Sequence, residues 1–240
     1  MKINAAGMDF QQLNRKIRES ADRRIRIIGC CGQRYIASGL SGREVTIEGV
    51  PGNALGAYLD GAELYVRGNV QDAAGDTMNA GTICVDGMAG DAAGYAMRGG
   101  SILIHGDAGY RAGIHMKEYQ EKKPLIIIGG SAGSFLGEYQ AGGTIIVLGL
   151  HCEGKPPVGN FCGVGMHGGK MYLRADRLPD DLSDRLVHRV AGLEDLQEIE
   201  PELRRFCELF DEPMQRLWDK PFYLITPNSQ NPYQQLYTAN

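Results

Sequence analysis

ELYVRGNVQDAAGDTMNAG, residues 63–81, runs straight into TICVDGMAGDAAGYAMRGG, residues 82–100. The two segments align position by position, and the segments beginning Glu44 and Ser101 join them. Gly49, Gly68, Gly87 and Gly106 fall in one column, and Gly56, Gly75, Gly94 and Gly113 in another, with a stride of 19 residues. After a five-residue insertion the register resumes: Gly130 enters the first column, Gly137 the second, and Gly149 follows Gly130 by 19. The repeat organises Val45 to Gly149. A period of this size marks stacked supersecondary units.

Each unit opens on an alternating apolar pair: Val45/Ile47, Leu64/Val66, Ile83/Val85, Ile102/Ile104, Ile126/Ile128 and Ile145/Val147. Period-two alternation of β-branched residues predicts a half-buried strand. Turn glycines follow, placed where the chain needs a positive φ. A second apolar ladder then runs through Leu40, Leu59, Met78, Met97, Met116 and Met166, interrupted by Gln140. One strand, one short ladder and no helical pattern in each repeat predict an all-β solenoid, a single-stranded parallel β-helix of about seven coils. At roughly 4.8 Å per coil it would be about 30 Å or more long. A sandwich has no reason to keep a strict stride. A hexapeptide β-helix needs a period of six, and leucine-rich repeats need a Leu-rich strand before an Asn, which is absent.

Composition narrows the class further. Of 240 residues, 43% are apolar, enough to fill a core, and the net charge of −4 excludes nothing. No basic run interleaved with aromatics points to nucleic acid. The 34 glycines sit at periodic corners, not in a linker. Met1-Lys2-Ile3-Asn4 begins no apolar h-region, and no stretch approaches the roughly 20 apolar residues of a membrane span. A cytoplasmic location is the expectation. Six cysteines (Cys30, Cys31, Cys84, Cys152, Cys162, Cys207) form no CxxC pair and read as small hydrophobes, with no metal site in the chain.

Taken in order, the chain divides into a capping helix (1–23), the repeats (24–175) and a helical extension with a tail (176–240). Asp9 and Gln12 form a capping box, and Phe10, Leu13, Ile17 and Ala21 share one face of a helix over 9–22. Asn14 and Arg15 on its other face are surface residues or partner contacts. The first coil, Ile25 to Gly42, is one residue off the later register. Asp72, Asp91 and Asp107 sit by glycine corners, where a turn role fits better than calcium. Leu182, Leu186, Val187 and Val190 have helical spacing. Glu200-Pro201-Glu202 opens a second helix carrying Leu203, Phe206, Cys207 and Phe210. Asp211 and Pro213 open a short turn with Leu217 and Trp218, and Phe222 to Ile225 form a strand that stops at Pro227. The last dozen residues form a polar, Tyr-rich tail.

Two features point to partner contact. The outward strand positions are polar early (Thr46, Glu48, Tyr65, Arg67) but apolar late (Leu103, Ile127, Ile146, Leu148). A strand apolar on both faces is covered on both, either by the C-terminal extension or by another subunit. Insertions in repeat proteins emerge as loops, often on the binding face. Lys117 and Tyr119 lie in the first insertion, and His151 and Lys155 in the second. The outward column Glu48, Arg67, Asp86, His105 is of mixed sign, and reads as a charge-paired face before it reads as a catalytic cluster. His105 and His115 read as ordinary surface or turn residues.

The run Gly106-Asp107-Ala108-Gly109-Tyr110-Arg111-Ala112-Gly113, with Ala141-Gly142-Gly143-Thr144-Ile145-Ile146-Val147-Leu148-Gly149, resembles the C-terminal GxGxG domain of the glutamate synthase large subunit. Gly68 to Gly75 and Gly163 to Gly169 do so as well. The resemblance spans roughly residues 9–225, and the corresponding subunit of formylmethanofuran dehydrogenase shares this kind of repeat. It implies a right-handed hand for the β-helix. It implies a non-catalytic scaffold subunit with no cofactor of its own, which holds a glutaminase subunit and an FMN- and iron–sulfur-containing synthase subunit so that ammonia passes between them. Met1-Lys2 offers no N-terminal cysteine nucleophile, and no strand–glycine-loop–helix phosphate site is present. The alternatives are the analogous subunit of another oxidoreductase complex, of the formylmethanofuran dehydrogenase or N-methylglutamate synthase type, and an independent carbohydrate-active enzyme. Self-association is left open.

Overall fold

In the computed structural model residues 1–228 are described. The elements in chain order are β1 (Lys2–Asn4), α1 (Phe10–Glu19), β2 (Arg24–Cys31), β3 (Glu44–Val50), β4 (Asp60–Arg67), β5 (Ala80–Val85), β6 (Ser101–Ile104), β7 (Leu125–Ile128), β8 (Ala141–Val147), β9 (Gly168–Arg174), β10 (Leu186–Val190), α2 (Leu193–Phe210) and β11 (Phe222–Pro227). A 3-10 turn, Met214–Trp218, joins α2 to β11. All the strands belong to one sheet in the order β1-β2-β3-β4-β5-β6-β7-β8-β9-β11-β10.

The stride is realised as in-register parallel pairing. Val45 lies beside Leu64, Leu64 beside Ile83, and Ile83 beside Ile102. The insertion is then absorbed, because Ile102 pairs with Ile126 and Ile126 with Ile145. The one-residue offset of the first repeat is also present, since Ile25 pairs with Val45.

The expected all-β solenoid, a right-handed single-stranded parallel β-helix of about seven coils with helical cap and helical extension, is overturned. The strands form one open sheet of eleven, with edges at β1 and β10 and two α-helices, an α/β-type arrangement. The reason lies in the other part of each repeat, which is built of turns. Ala54, Ala73, Ala92, Arg111 and Phe135 all take φ between 56° and 64°, a left-handed conformation that cannot propagate a strand. Strand-type pairing there is limited, among the described residues, to single-residue bridges through Val70, Ala89, Ala108, Ala132 and Val158. The C-terminal extension is likewise not helical throughout. The helical spacing read over Leu182–Val190 is strand β10, paired antiparallel with β11, which pairs antiparallel with β9.

The turn segments nonetheless bond repeat to repeat. Gly75 N–H donates to Leu55 O and Gly94 N–H to Ala74 O. Asp72 and Asp91 have the turn role expected of them, but each carboxylate accepts from the following repeat. Asp72 Oδ1 takes the N–H of Asp91 at 2.9 Å, and Asp91 Oδ1 that of Tyr110 at 2.8 Å. Asp107 Oδ1 takes both the N–H and the hydroxyl of Ser131.

Two cores result. One lies between the sheet and the turns, where Val45, Leu64, Ile83, Ile102, Ile126 and Ile145 meet Leu59, Met78, Met97 and Met116. The other lies on the opposite face of the late strands, under α2. The capping box of α1 is present, with Gln12 N–H donating to Asp9 Oδ1 at 2.8 Å and Asp9 N–H to Gln12 Oε1 at 3.3 Å. The helix buries Leu13 and Ile17 but stops at Glu19, leaving Ala21 exposed. α2 begins at Leu193, not at Glu200, so Pro201 lies inside it. The true start is Gly192, whose N–H donates to Asp195 Oδ2 at 2.7 Å. The tail expected at the C-terminus lies outside the described residues from 229 onward.

Candidate partner-contact surface

Leu103, Ile127, Ile146 and Leu148 are fully buried, and what buries them is the chain's own extension. They pack with Ile199, Leu203 and Phe206 of α2 and with Leu217 of the 3-10 turn. The late outward strand positions are apolar because α2 lies across them. Removing that much apolar surface from water is worth roughly 25 cal/mol per Å², which is ample reason for the helix to dock.

The insertions stand at opposite ends of the strands. Lys117 and Tyr119 belong to a small hairpin closed by reciprocal backbone bonds between Tyr119 and Lys122. Glu118 Oε1 accepts the N–H of Gly143 at 2.9 Å and ties this hairpin to the start of β8. His151 and Lys155 follow the end of β8 and are exposed. Their loop is anchored by Lys220, which donates to Cys152 O, and by Arg216, which donates to Leu150 O. The structure therefore does not gather the eight predicted contact residues on one surface.

It assembles instead a surface that the sequence reading passed over. Several residues at the left-handed turn positions are exposed, and in the later repeats they include Arg111, His115, Tyr139 and Phe161. Ala54, Ala73 and Ala92 are succeeded by Arg111, Phe135 and Phe161, and Tyr58, Thr77 and Ala96 by His115 and Tyr139, all at positive φ. The rings stack along the molecule. Tyr95 meets His115 edge-on at 6.0 Å, and His115 stacks on Tyr139 at 5.2 Å. Phe135 stacks on Phe161 at 5.0 Å, with the Arg111 guanidinium 4.8 Å above the Phe135 ring. An Arg111–Glu138 ion pair at 3.0 Å joins the two rows. Tyr95, Tyr110, Tyr139 and Phe161 remain 41–53% exposed. A contiguous apolar and aromatic patch of this kind marks an interaction site, and Tyr, Phe and Arg are residues that favour interface cores. The signal was present in the 19-residue alignment, as rings entering columns occupied elsewhere by alanine.

The mixed-sign column is split between separate surroundings. Glu48 pairs with Arg26 at 2.6 Å, and Asp86 is exposed. His105 is covered by α2, with Nε2 3.0 Å from Glu212 Oε1 and its ring stacked on Phe210. Cys30, Cys84, Cys162 and Cys207 are buried. Desolvation pushes the Cys84 and Cys162 thiols up to about 12 and Cys30 up to about 11. These are packing residues held in the thiol form, as free cysteines behave in apolar surroundings. No helix among the described residues is long and apolar enough to cross a membrane.

The geometry can be set beside known proteins. An uncharacterized protein of Methanocaldococcus jannaschii is 41% identical over 99% of this chain and 96% of its own length. A chain of the formyltransferase/hydrolase complex from Methylorubrum extorquens, solved with methylofuran, shares the fold with a TM-score of 0.66. The match is at 24% identity and covers 88% of this chain and 80% of that one. The family model described as the GXGXG motif matches residues 11–222, almost the whole repeat region together with α2 and the 3-10 turn. The chain belongs to the GXGXG motif family.

Proposed function

We propose that this chain is a non-catalytic subunit of a multi-subunit complex, where it acts by holding other subunits in fixed relative position. The observation that carries this reading is the exposed ring surface from Tyr95 through His115 and Tyr139 to Phe161, mounted on turns that are hydrogen-bonded repeat to repeat. Rigid turns present the rings without an ordering cost on binding, which favours affinity. The fold likeness to a chain of the formyltransferase/hydrolase complex supports membership of some assembly.

The finer reading follows the GxGxG resemblance. The partners would be a glutaminase subunit and a synthase subunit carrying FMN and an iron–sulfur cluster, with this chain setting the path of ammonia between them. A second reading is favoured by the Methylorubrum structure: a complex of the formyl-transferring kind, related to that of formylmethanofuran dehydrogenase. Affinity purification of the tagged chain from its own cells separates them. A flavin spectrum with glutamine-dependent ammonia release supports the first, and formyl transfer or hydrolysis supports the second. A chain recovered without any partner contradicts both.

A further inference from the structure

A groove of about 560 Å³ runs between α1 and the turn of the first repeat, lined by Gln11, Asn14, Arg15, Arg18, Tyr35 and Ser38. It lies at the opposite end of the repeat array from Phe161. Leu13 and Ile17 fasten α1 to the core, which leaves the flank bearing Arg15 and Arg18 beside the groove. Asn14 is fixed at the floor, donating from Nδ2 to Phe10 O at 2.9 Å and to Arg34 O at 3.2 Å. The rings of Phe10 and Tyr35 stand 6.0 Å apart, and the Arg34 guanidinium lies 5.3 Å from the Phe10 ring centre.

Two guanidinium groups, those of Arg15 and Arg18, therefore line the groove in a chain whose net charge is −4. Among the described residues neither Arg15 nor Arg18 is ion-paired to a carboxylate. Glu19, which also borders the groove, pairs with neither. Lys16 and Arg18 lie in the last helical turn, where a cation complements the helix dipole, but Arg15 lies before that turn and has no such role. A localised positive groove on an acidic molecule selects an anionic partner.

We propose that this groove receives an acidic segment of a partner protein, with carboxylates meeting Arg15 and Arg18 and an apolar side chain packing on the exposed Tyr35 ring. The proposal rests on the reading of the chain as a complex subunit, and it names the partner chemistry at a second surface. A small free anion fits less well. Pairs between exposed ions contribute only about 0–1 kcal/mol each, so affinity needs the ring contacts that a peptide adds. Planar guanidinium groups also suit bidentate carboxylate recognition.

The test is fluorescence anisotropy of the full chain with a short labelled peptide of alternating glutamate and leucine. Binding should weaken with added salt, and should fall at least about tenfold, or about 1.4 kcal/mol, in the R15E/R18E double variant. Arg15 and Arg18 are exposed, so that variant should stay folded, its melting temperature lowered only slightly by the loss of the last-turn cation Arg18. The glutamine–leucine peptide should not bind. Absence of peptide binding, or equal binding by the variant, overturns the proposal. Inorganic phosphate competing at the same concentration as the peptide overturns it in favour of a small-anion site, and arginine-dependent binding to anionic lipid vesicles overturns it in favour of a membrane surface. No partner subunit is needed for this measurement. Peptide binding by a chain that recovers no partner would sink the subunit reading alone, and partners that co-purify without peptide binding would sink the groove alone.

Discussion

Arg174 shows how one residue joins the last repeats to the C-terminal extension. Its side chain is only 3% exposed. Nε donates to Leu217 O at 3.0 Å, Nη1 to Leu148 O at 2.6 Å and Nη2 to Arg216 O at 2.8 Å, and Nη2 also pairs with Asp219. β8, β9 and the 3-10 turn are thereby held by one planar fork. Replacing it with leucine leaves buried carbonyls unsatisfied, at about 1–3 kcal/mol for each. Arg174→Leu should lower the urea midpoint by an amount equivalent to at least about 3 kcal/mol, one increment for each of the three carbonyls. Arg174→Lys should restore little of that, because an ammonium cannot reproduce the fork. The thiols give a second test. Cys84 and Cys162 titrate from 9.0 in the unfolded chain to about 12 when folded, so above pH 9 the unfolded state releases protons that the folded state retains. Stability is therefore full below pH 9 and falls as the pH rises towards about 12. Urea melts across that window should show the loss, and Cys162→Ala should reduce it while the Cys84 contribution remains. Gln140 was legible only as a break in the Met ladder. It is fully buried and donates from Nε2 to the carbonyls of Gly142, Gly143 and Lys170. Those carbonyls lie where the register between β8 and β9 shifts, and a methionine could not satisfy them.

At the scale of elements, α2 settles what covers the late strands. Phe206 is fully buried among Leu103, Ile127 and Cys207 and meets Phe210 edge-on at 4.8 Å. Phe206→Ala should cost about 3–5 kcal/mol, read as a drop in melting temperature, with dye binding to the uncovered strand face on heating. The strands β3 to β8 were legible because their inward apolar pairs keep the 19-residue stride from Val45 to Ile104 and resume it after the insertion, from Ile126 to Val147. β10 was not. Leu186, Val187 and Val190 fit a helix and an edge strand equally well, and the choice is made by pairing with β11, which lies beyond α2 in the chain. The start of α2 was misplaced because Pro201 suits a first turn, while the actual start rests on the Gly192–Asp195 contact. A stride reports that repeats stack. It does not report whether the residues between strands are extended, and here left-handed φ values at Ala54, Ala73 and Ala92 keep them as turns.

At the scale of the whole molecule, one sheet face is closed by α2, and the turn side carries an open line of rings towards the last repeats. The apolar strand positions were visible in the sequence as a contact surface, but whether the contact was internal depended on where residues 193–210 would lie. The ring surface was hidden for another reason. Tyr95, His115, Phe135, Tyr139 and Phe161 are scattered in sequence, and only the turn geometry brings them into stacking distance. On the proposed function, this ring surface docks another subunit. Native mass spectrometry of the tagged chain, purified from its own cells, tests it most directly when wild type is compared with the Tyr139→Asp/Phe161→Asp variant. The wild-type chain should appear in a stoichiometric assembly with at least one different subunit, and the folded variant should appear alone. A solitary wild-type chain, or an assembly that survives the double substitution intact, would contradict it.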